Sequence, residues 1–299
     1  MSKTQTVNKT QVINNAEDIN VKAQRAERIW RVSITTIITL FMCIIVFPFF
    51  WILVTSFKPT SQIFGEGAYS IYAGQLVLDH YKTVIFEKGI LNSIWNSFVV
   101  SSITTLYVVC IAVLAAYAIS RFKFKGKSFL LGLILAISMF PQMIVVGPIY
   151  NLFTQLNMTN SYFVVLPYST ITLPSAVWIM VTHFNQIPLA IEESAKIDGA
   201  TPFETLSKVI FPLAAPGVFT TGIITFIAAW NEYLLTVTLN TDKNYHTVPV
   251  AVSFLRSQFE ILWGQVSAAT IVVTIPTLII VLLFQKQIVS GLISGAVKE

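Results

Sequence analysis

"EESAKIDGATPFETLSKVIFPLAAPG", residues 192–217, is the one long charged segment between two strongly apolar runs in the second half of the chain. The connection that holds it, residues 184–209, has four acids (Glu192, Glu193, Asp198 and Glu204) against two bases (Lys196 and Lys208). Glycine and proline punctuate the segment at Gly199, Pro202, Pro212, Pro216 and Gly217. The chain around it is 55% hydrophobic and 11% charged, against about 25% charged in an ordinary soluble domain. Mean hydropathy is +0.71. Those values describe an integral membrane protein, so the acidic segment must be read as a loop between spans.

A spanning helix needs about 20 mainly apolar residues. Six stretches qualify: 32–57, 93–120, 128–153, 161–183, 210–235 and 266–289. Helix is the expected form, because lipid offers no partner to a free backbone group. The expected fold class is therefore an all-α membrane protein with six transmembrane helices. The first run has no small-residue cleavage site and reads as a retained span rather than a signal peptide.

Orientation follows from Lys and Arg near the span ends. The tail before the first span has six: Lys3, Lys9, Lys22, Arg25, Arg28 and Arg31. The loop "RFKFKGK", residues 121–127, has four and no acid, whereas "NLFTQLNMTN", residues 151–160, has none. Both termini are thus expected on the cytoplasmic side of a multi-pass protein in a bacterial inner or plasma membrane. The expected domains are a cytoplasmic tail over 1–31, a membrane domain over 32–290 and a second cytoplasmic tail over 291–299. The 184–209 loop falls on the basic side with the wrong sign. Acids count little toward topology, so the orientation stands and the acids need another reason.

Several chemistries find no support. His80, His183 and His246 are scattered and offer no metal cluster. Cys43 and Cys110 lie inside apolar runs, as small buried hydrophobes do. The net charge of +5 and pI near 9.1 come from bases flanking apolar runs, so nucleic acid is not an expected partner and membrane lipid is. "GKS" at 126–128 has Arg121 where a phosphate loop needs glycine, and no strand precedes it. No nucleophile with a base is apparent. No cofactor is expected, and the chain is not expected to be an enzyme.

Local chemistry shapes the acidic loop. Pro188 suits a first helical position, 189–197 holds good helix formers, and Gly199 suits a C-terminal cap. Thr201-Pro202-Phe203-Glu204 reads as a capping box opening a second helix. Pro212 and Pro216 then shape the entry to the next span. The first helix presents Ala190, Ser194 and Ala195 for close approach of another surface. Glu193 offers a carboxylate for a bidentate pair with an arginine of a partner. A capped amphipathic linker lying on the membrane is the plainer reading of the same residues.

The segment resembles the "EAA" loop of permease subunits of binding-protein-dependent ABC importers. That pattern is Glu-Ala-Ala, three residues, Gly, nine residues, then Ile-x-Leu-Pro. Here Glu193, Ser194 and Ala195 precede Gly199 by the same spacing, and Val209-Ile210-Phe211-Pro212 closes it. Asp198, Ala200 and Pro216 also fit. Ser, Val and Phe replace Ala, Ile and Leu with the spacing intact. "AAYAISRFKFKGK" (115–127), "WNEYLL" (230–235) and "VSGLISGAVKE" (289–299) resemble the carbohydrate-uptake branch, in its shorter six-span form typified by the maltose system. The resemblance implies the type I ABC importer permease fold with a cytoplasmic coupling helix. It implies ATPase coupling through Glu193, Ser194, Ala195, Asp198, Gly199, Ala200 and Pro212. The implied partners are a second permease, two ATPase subunits and an extracytoplasmic sugar-binding protein. Residues 295–299 would reach between the ATPases.

Other features stay open. Asn231 and Glu232 lie about 30 Å from Pro212 along a helix, near the outer surface. Glu232 either reaches for interfacial water beside Trp230 and Tyr233 or, with Asn231, forms an outer gate or lines a sugar path. Pro141, Pro148, Pro167, Pro174 and Pro276 are candidate hinges, although proline is tolerated in spans generally. The outer connection 236–265 either enters the binding protein's cleft or is a flexible spacer. Among 22 Phe, 6 Trp and 10 Tyr, none stands out as a sugar platform. The competing functions are permeation of another solute class by the same fold, and ion-coupled secondary transport. The latter usually needs midplane ionisable groups.

Overall fold

The computed structural model describes residues 3–64, 67–71, 75–256 and 261–296. Its main helices are α1 (Lys3–Ser56), α2 (Ile90–Arg121), α3 (Lys127–Ser138), α4 (Gln142–Gln155), α5 (Val165–Gln186), α6 (Leu189–Ile197), α7 (Phe211–Trp230), α8 (Leu234–Leu239), α9 (Val248–Ser253) and α10 (Trp263–Ala296). Among the described residues, strand-type pairing is limited to an isolated bridge between Arg256 and Ile261. The chain divides into one unit ending at Thr55 and a second from Ser56 onward. α1 continues through the expected tail boundary at 31, and its apolar stretch begins at Glu27.

Five helical stretches are long and apolar enough to cross a bilayer: Glu27–Ser56, Ile90–Arg121, Tyr162–Gln186, Pro202–Trp230 and Trp263–Lys286. The expected span over 128–153 is not one rod. It is α3 and α4, meeting at 88°. At 1.5 Å per residue they are about 18 and 21 Å long, each short of a hydrocarbon core of about 30 Å. Pro141 causes the break: it has no N–H to continue the ladder and disfavours helix at the residue before it. The Phe140 N–H turns to Ile137 O at 3.2 Å, and Pro141 becomes the N-cap of α4 with ψ 126°. Pro148, Pro174, Pro216 and Pro276 stay inside continuous helices. The fifth span also ends earlier than expected, at Trp230 instead of 235.

The second unit is patterned for lipid. α2 buries Ser93, Ser97, Ser101, Thr104, Val108, Ala112 and Ala116, spaced three or four apart on one face. Its opposite face exposes Leu91, Trp95, Leu106 and Leu114. Small residues at a helix seam let backbones approach, where van der Waals packing drives association in lipid. α2 packs on both α5 and α7. Gly222 of α7 sits against Thr105 and Val109 of α2, and Gly217 sits against the ring of His183 on α5. At the end bearing the 184–210 loop, Tyr117, Val181, Phe184, Leu206, Ile210 and Ala214 join one buried cluster.

Candidate functional site: the capped loop and the polar network at the far end

α5 ends at Gln186, and Ile187 turns extended with ψ 121°. Pro188 is the N-cap of α6 rather than its first residue, with Leu189 following as N1. α6 closes in a full glycine cap. The Gly199 N–H donates to Lys196 O at 3.1 Å and the Ala200 N–H to Ala195 O at 3.0 Å. These two bonds are the Schellman pattern, and Gly199 adopts φ +85°, as that pattern requires. The capping box then forms as expected. The Glu204 N–H donates to Thr201 Oγ1 at 3.3 Å, and the Thr201 N–H to Glu204 Oε2 at 3.1 Å. Lys208 Nζ holds the other carboxylate oxygen of Glu204 at 2.9 Å. A π-turn, Thr205–Ile210, leads into α7 with Pro212 in its first turn. Single π-turns recur at functional sites.

The loop therefore has a fixed shape and two distinct faces. Leu189, Ala190, Glu193, Ser194, Ile197, Asp198 and Gly199 are exposed, as is Phe203 just beyond. Ile197 is 86% exposed and Phe203 73%. Ala195 departs from expectation: it is buried within this chain, so it seats α6 and is not offered to another surface. Ala200 is half-buried.

Glu192 accounts for part of the sign anomaly. Its carboxylate pairs with Nε of Arg121, the last residue of α2. The two side chains are 4% and 7% exposed. Arg121 Nη2 also donates to Ile187 O at 3.0 Å, and the Tyr117 hydroxyl lies 3.5 Å from the second Glu192 oxygen. Sequence reasoning placed Arg121 among orientation-setting bases and Glu192 among surplus acids. The signal for pairing them was present only as surplus charge of opposite sign in two separate loops, four bases in one and two excess acids in the other.

At the far end of the bundle, Asn231 is exposed and Glu232 is buried. The reading of Glu232 as a group reaching for water is therefore corrected. Its carboxylate accepts from the Leu235 N–H at 2.7 Å and the Thr236 N–H at 3.2 Å, capping α8. The connection after it folds over its described residues as α8, a 3-10 turn at Lys243–Tyr245 and α9; residues 257–260 lie outside them. Asn96 of α2, wholly buried, donates to Asn244 O at 2.8 Å and His246 O at 3.0 Å, and accepts from the Tyr162 hydroxyl at 2.6 Å. Asn92 donates to the same Asn244 carbonyl at 2.9 Å. Ser97 Oγ accepts the Val248 N–H at 2.8 Å. Asn92, Asn96, Ser97 and Tyr162 were not singled out from sequence.

A cavity of about 630 Å³ opens between α2, α7 and α10, lined by Phe98, Leu106, Phe211, Phe219, Phe226 and Phe284 among others. Its walls are almost wholly apolar, without the convergent hydrogen-bonding groups that orient a polar ligand. The tail reading of 295–299 falls at the end of α10, with 297–299 outside the described residues.

Three comparisons bear on this geometry. The chain is 38% identical over 278 residues to the trehalose/maltose transport system permease MalG of Thermococcus litoralis, covering 92% of this chain and 99% of the relative. It is 40% identical over 254 residues to the trehalose transport system permease SugB of Mycobacterium tuberculosis, covering 84% and 92%. A chain from the crystal structure of a bacterial ABC transporter involved in alginate import superposes with TM-score 0.72 at 21% identity, covering 88% of this chain and 97% of that one. This likeness gives the fold: the type I ABC importer permease architecture expected from sequence. Residues 108–293, more than half the chain and including the whole capped loop, match the family described as binding-protein-dependent transport system inner membrane component, and the chain belongs to that family.

Proposed function

We propose that this chain is one permease subunit of an ATP-driven sugar importer, and that its solute is an oligosaccharide. The observation that carries the coupling part is α6 itself. It is a short helix locked by a glycine cap and a capping box, with Glu193, Ser194, Ile197 and Asp198 turned outward in a member of a binding-protein-dependent transport family. The sugar class is supported by the relatives named for trehalose and maltose. In this reading both termini and the 184–209 loop face the cytoplasm of an inner or plasma membrane. α6 docks on a separate ATPase subunit through Glu193, Ser194, Asp198 and Gly199, backed by Ala195, Ala200 and Pro212. ATP is hydrolysed by two such partner chains. A second permease completes the path, and a sugar-binding protein delivers solute from outside.

ATPase closure would move α6 and rock the two permeases between inward and outward openings. Asn231 and Glu232 stand at the outer end as gate or path residues. Co-purification with the partner subunits tests the assembly, followed by uptake assays in which the cognate binding protein is screened against disaccharides and longer sugars. Glu193→Lys is expected to release the ATPase while leaving membrane insertion intact. Coupled uptake at the wild-type rate in that variant refutes the docking role. Uptake driven by an ion gradient without ATP refutes the importer class.

A further inference from the structure

α6 has two covalent neighbours, α5 before it and the 201–210 segment leading to α7 after it. The structure gives it a third attachment. Arg121, at the end of α2, holds the Glu192 carboxylate on α6 and the Ile187 carbonyl at the α5–α6 elbow with one guanidinium. Glu192 is 71 residues away in sequence. The two side chains are nearly inaccessible, so water cannot readily substitute for either partner. A planar guanidinium offers donors in fixed directions, and here they fix both the position of α6 and its angle to α5. Tyr117, one turn back on α2, packs its ring edge-on to Phe184 of α5, with centroids 6.2 Å apart.

We infer that Arg121 is a positioning residue that fastens α6 to α2, so that displacement of α6 is delivered directly to α2 as well as along the chain to α5 and α7. The inference rests on the docking reading given above. Its physical basis is that α2 is the packing centre of the second unit, against α5 along one side and α7 along another. α2 also holds the outer network through Asn92, Asn96 and Ser97. With the pair intact, α6 cannot turn about the Ile187 elbow without either drawing α2 with it or exposing a buried charge. The second alternative is strongly unfavourable. α6 is thereby tied to α2, which also holds the polar network at the opposite end through Asn92, Asn96 and Ser97.

The test uses the full assembly of both permeases, the ATPases and the binding protein. Its central variant is Arg121→Met combined with Glu192→Leu. Replacing both members of a buried ion pair with apolar residues of similar size is often tolerated, so this variant separates packing from fastening. The expected result is ATPase co-purification at wild-type yield, with sugar moved per ATP hydrolysed reduced about tenfold, within the usual range for a lost coupling. A wild-type ratio of sugar to ATP in the assembled double variant overturns the inference. If the double variant does not assemble, Arg121→Lys carries the test, since it keeps the charge and loses the fork. A several-fold lower ratio supports the inference and an unchanged ratio overturns it. Glu193→Lys is run alongside. If it releases the ATPase while the double variant couples normally, the fastening alone fails. If it leaves the ATPase bound, the docking reading fails and the inference with it.

Discussion

A methyl group added at Gly217 of α7 would lie 2.5 Å from Cγ of His183 on α5. The two helices that carry the 187–210 loop on their ends are thus in backbone-to-ring contact just behind it. Gly217→Ala is expected to force them apart and to cost about 1–3 kcal/mol, as overpacking usually does. A lower thermal midpoint of the detergent-solubilised complex would report it. His183→Ala in the same chain should recover most of that loss. Additive losses in the double variant would show that the contact is not the cause.

Gly199 makes the opposite case. Nothing lies within 4 Å of a Cβ built there, yet its φ is +85°. The whole penalty of substitution is therefore backbone, roughly 1–2 kcal/mol for an ordinary L-residue. Gly199→Val should fray the end of α6 and weaken ATPase association. Gly199→Asn should retain most of it, because asparagine tolerates this conformation. Equal affinity of the two variants for the ATPase would contradict the cap explanation.

Glu232 caps α8 from a buried position, so its removal acts on structure before it acts on transport. Glu232→Ala leaves the Leu235 and Thr236 N–H groups without their acceptor and should cost about 0.5–2 kcal/mol, read as a lower midpoint. Glu232→Gln keeps one acceptor oxygen and most of the cap. If Glu232 also serves the outer gate, the glutamine variant lowers binding-protein-dependent uptake at near-normal stability. Normal uptake with unchanged binding-protein docking would restrict the residue to capping.

His246 should give the 240–254 segment a pH response. Burial holds its imidazole below the usual histidine value of 6.5, while Asp242 and the Thr241 and Asn240 backbone pull weakly the other way. The neutral ring is stacked on Phe254 with centroids 5.0 Å apart. A lowered folded value means that His246 contributes stability above pH 6.5, lost as pH falls through that lower value. Melting midpoints measured from about pH 7.5 to 5 should fall on acidification. The fall should be smaller in His246→Phe. An equal fall in both would assign it to other groups.

The apolar runs revealed four of the expected spans near their observed bounds, because lipid leaves little choice but helix for such stretches. The third did not follow. Pro141 has the same composition signal as Pro148, Pro174, Pro216 and Pro276, which stay inside continuous helices, so composition did not mark the proline at which the helix bends. The capping box at Thr201 and the glycine cap at Gly199 were legible because each depends on residues within six positions. Arg121 with Glu192 was not, since a pair separated by that much chain needs the fold to bring it together. The same holds for Asn96, which in sequence is one polar residue in an apolar run and in the structure anchors three distant groups. Ala195 was read as open because helix periodicity gives faces but not which face is already occupied. The capping role of Glu232 was hidden in the same way, as the Leu235 and Thr236 N–H groups it accepts from lie in a turn the span length had concealed.

From Asn96 to Arg121, α2 runs 25 residues, about 38 Å at 1.5 Å per residue. Bonds to separate parts of the chain hold it at both of those points, so it behaves as a lever with a grip at each end. Tilting such a rod by about 6° around its middle carries each grip about 2 Å in opposite directions, near the usual size of helix shifts in switching proteins. The grip at Asn96 is made of neutral amide, carbonyl and hydroxyl groups, which high salt does not loosen. The charged end is held by the Arg121 guanidinium together with the packing of Tyr117 on Phe184, so salt and apolar substitution would loosen the two ends differently.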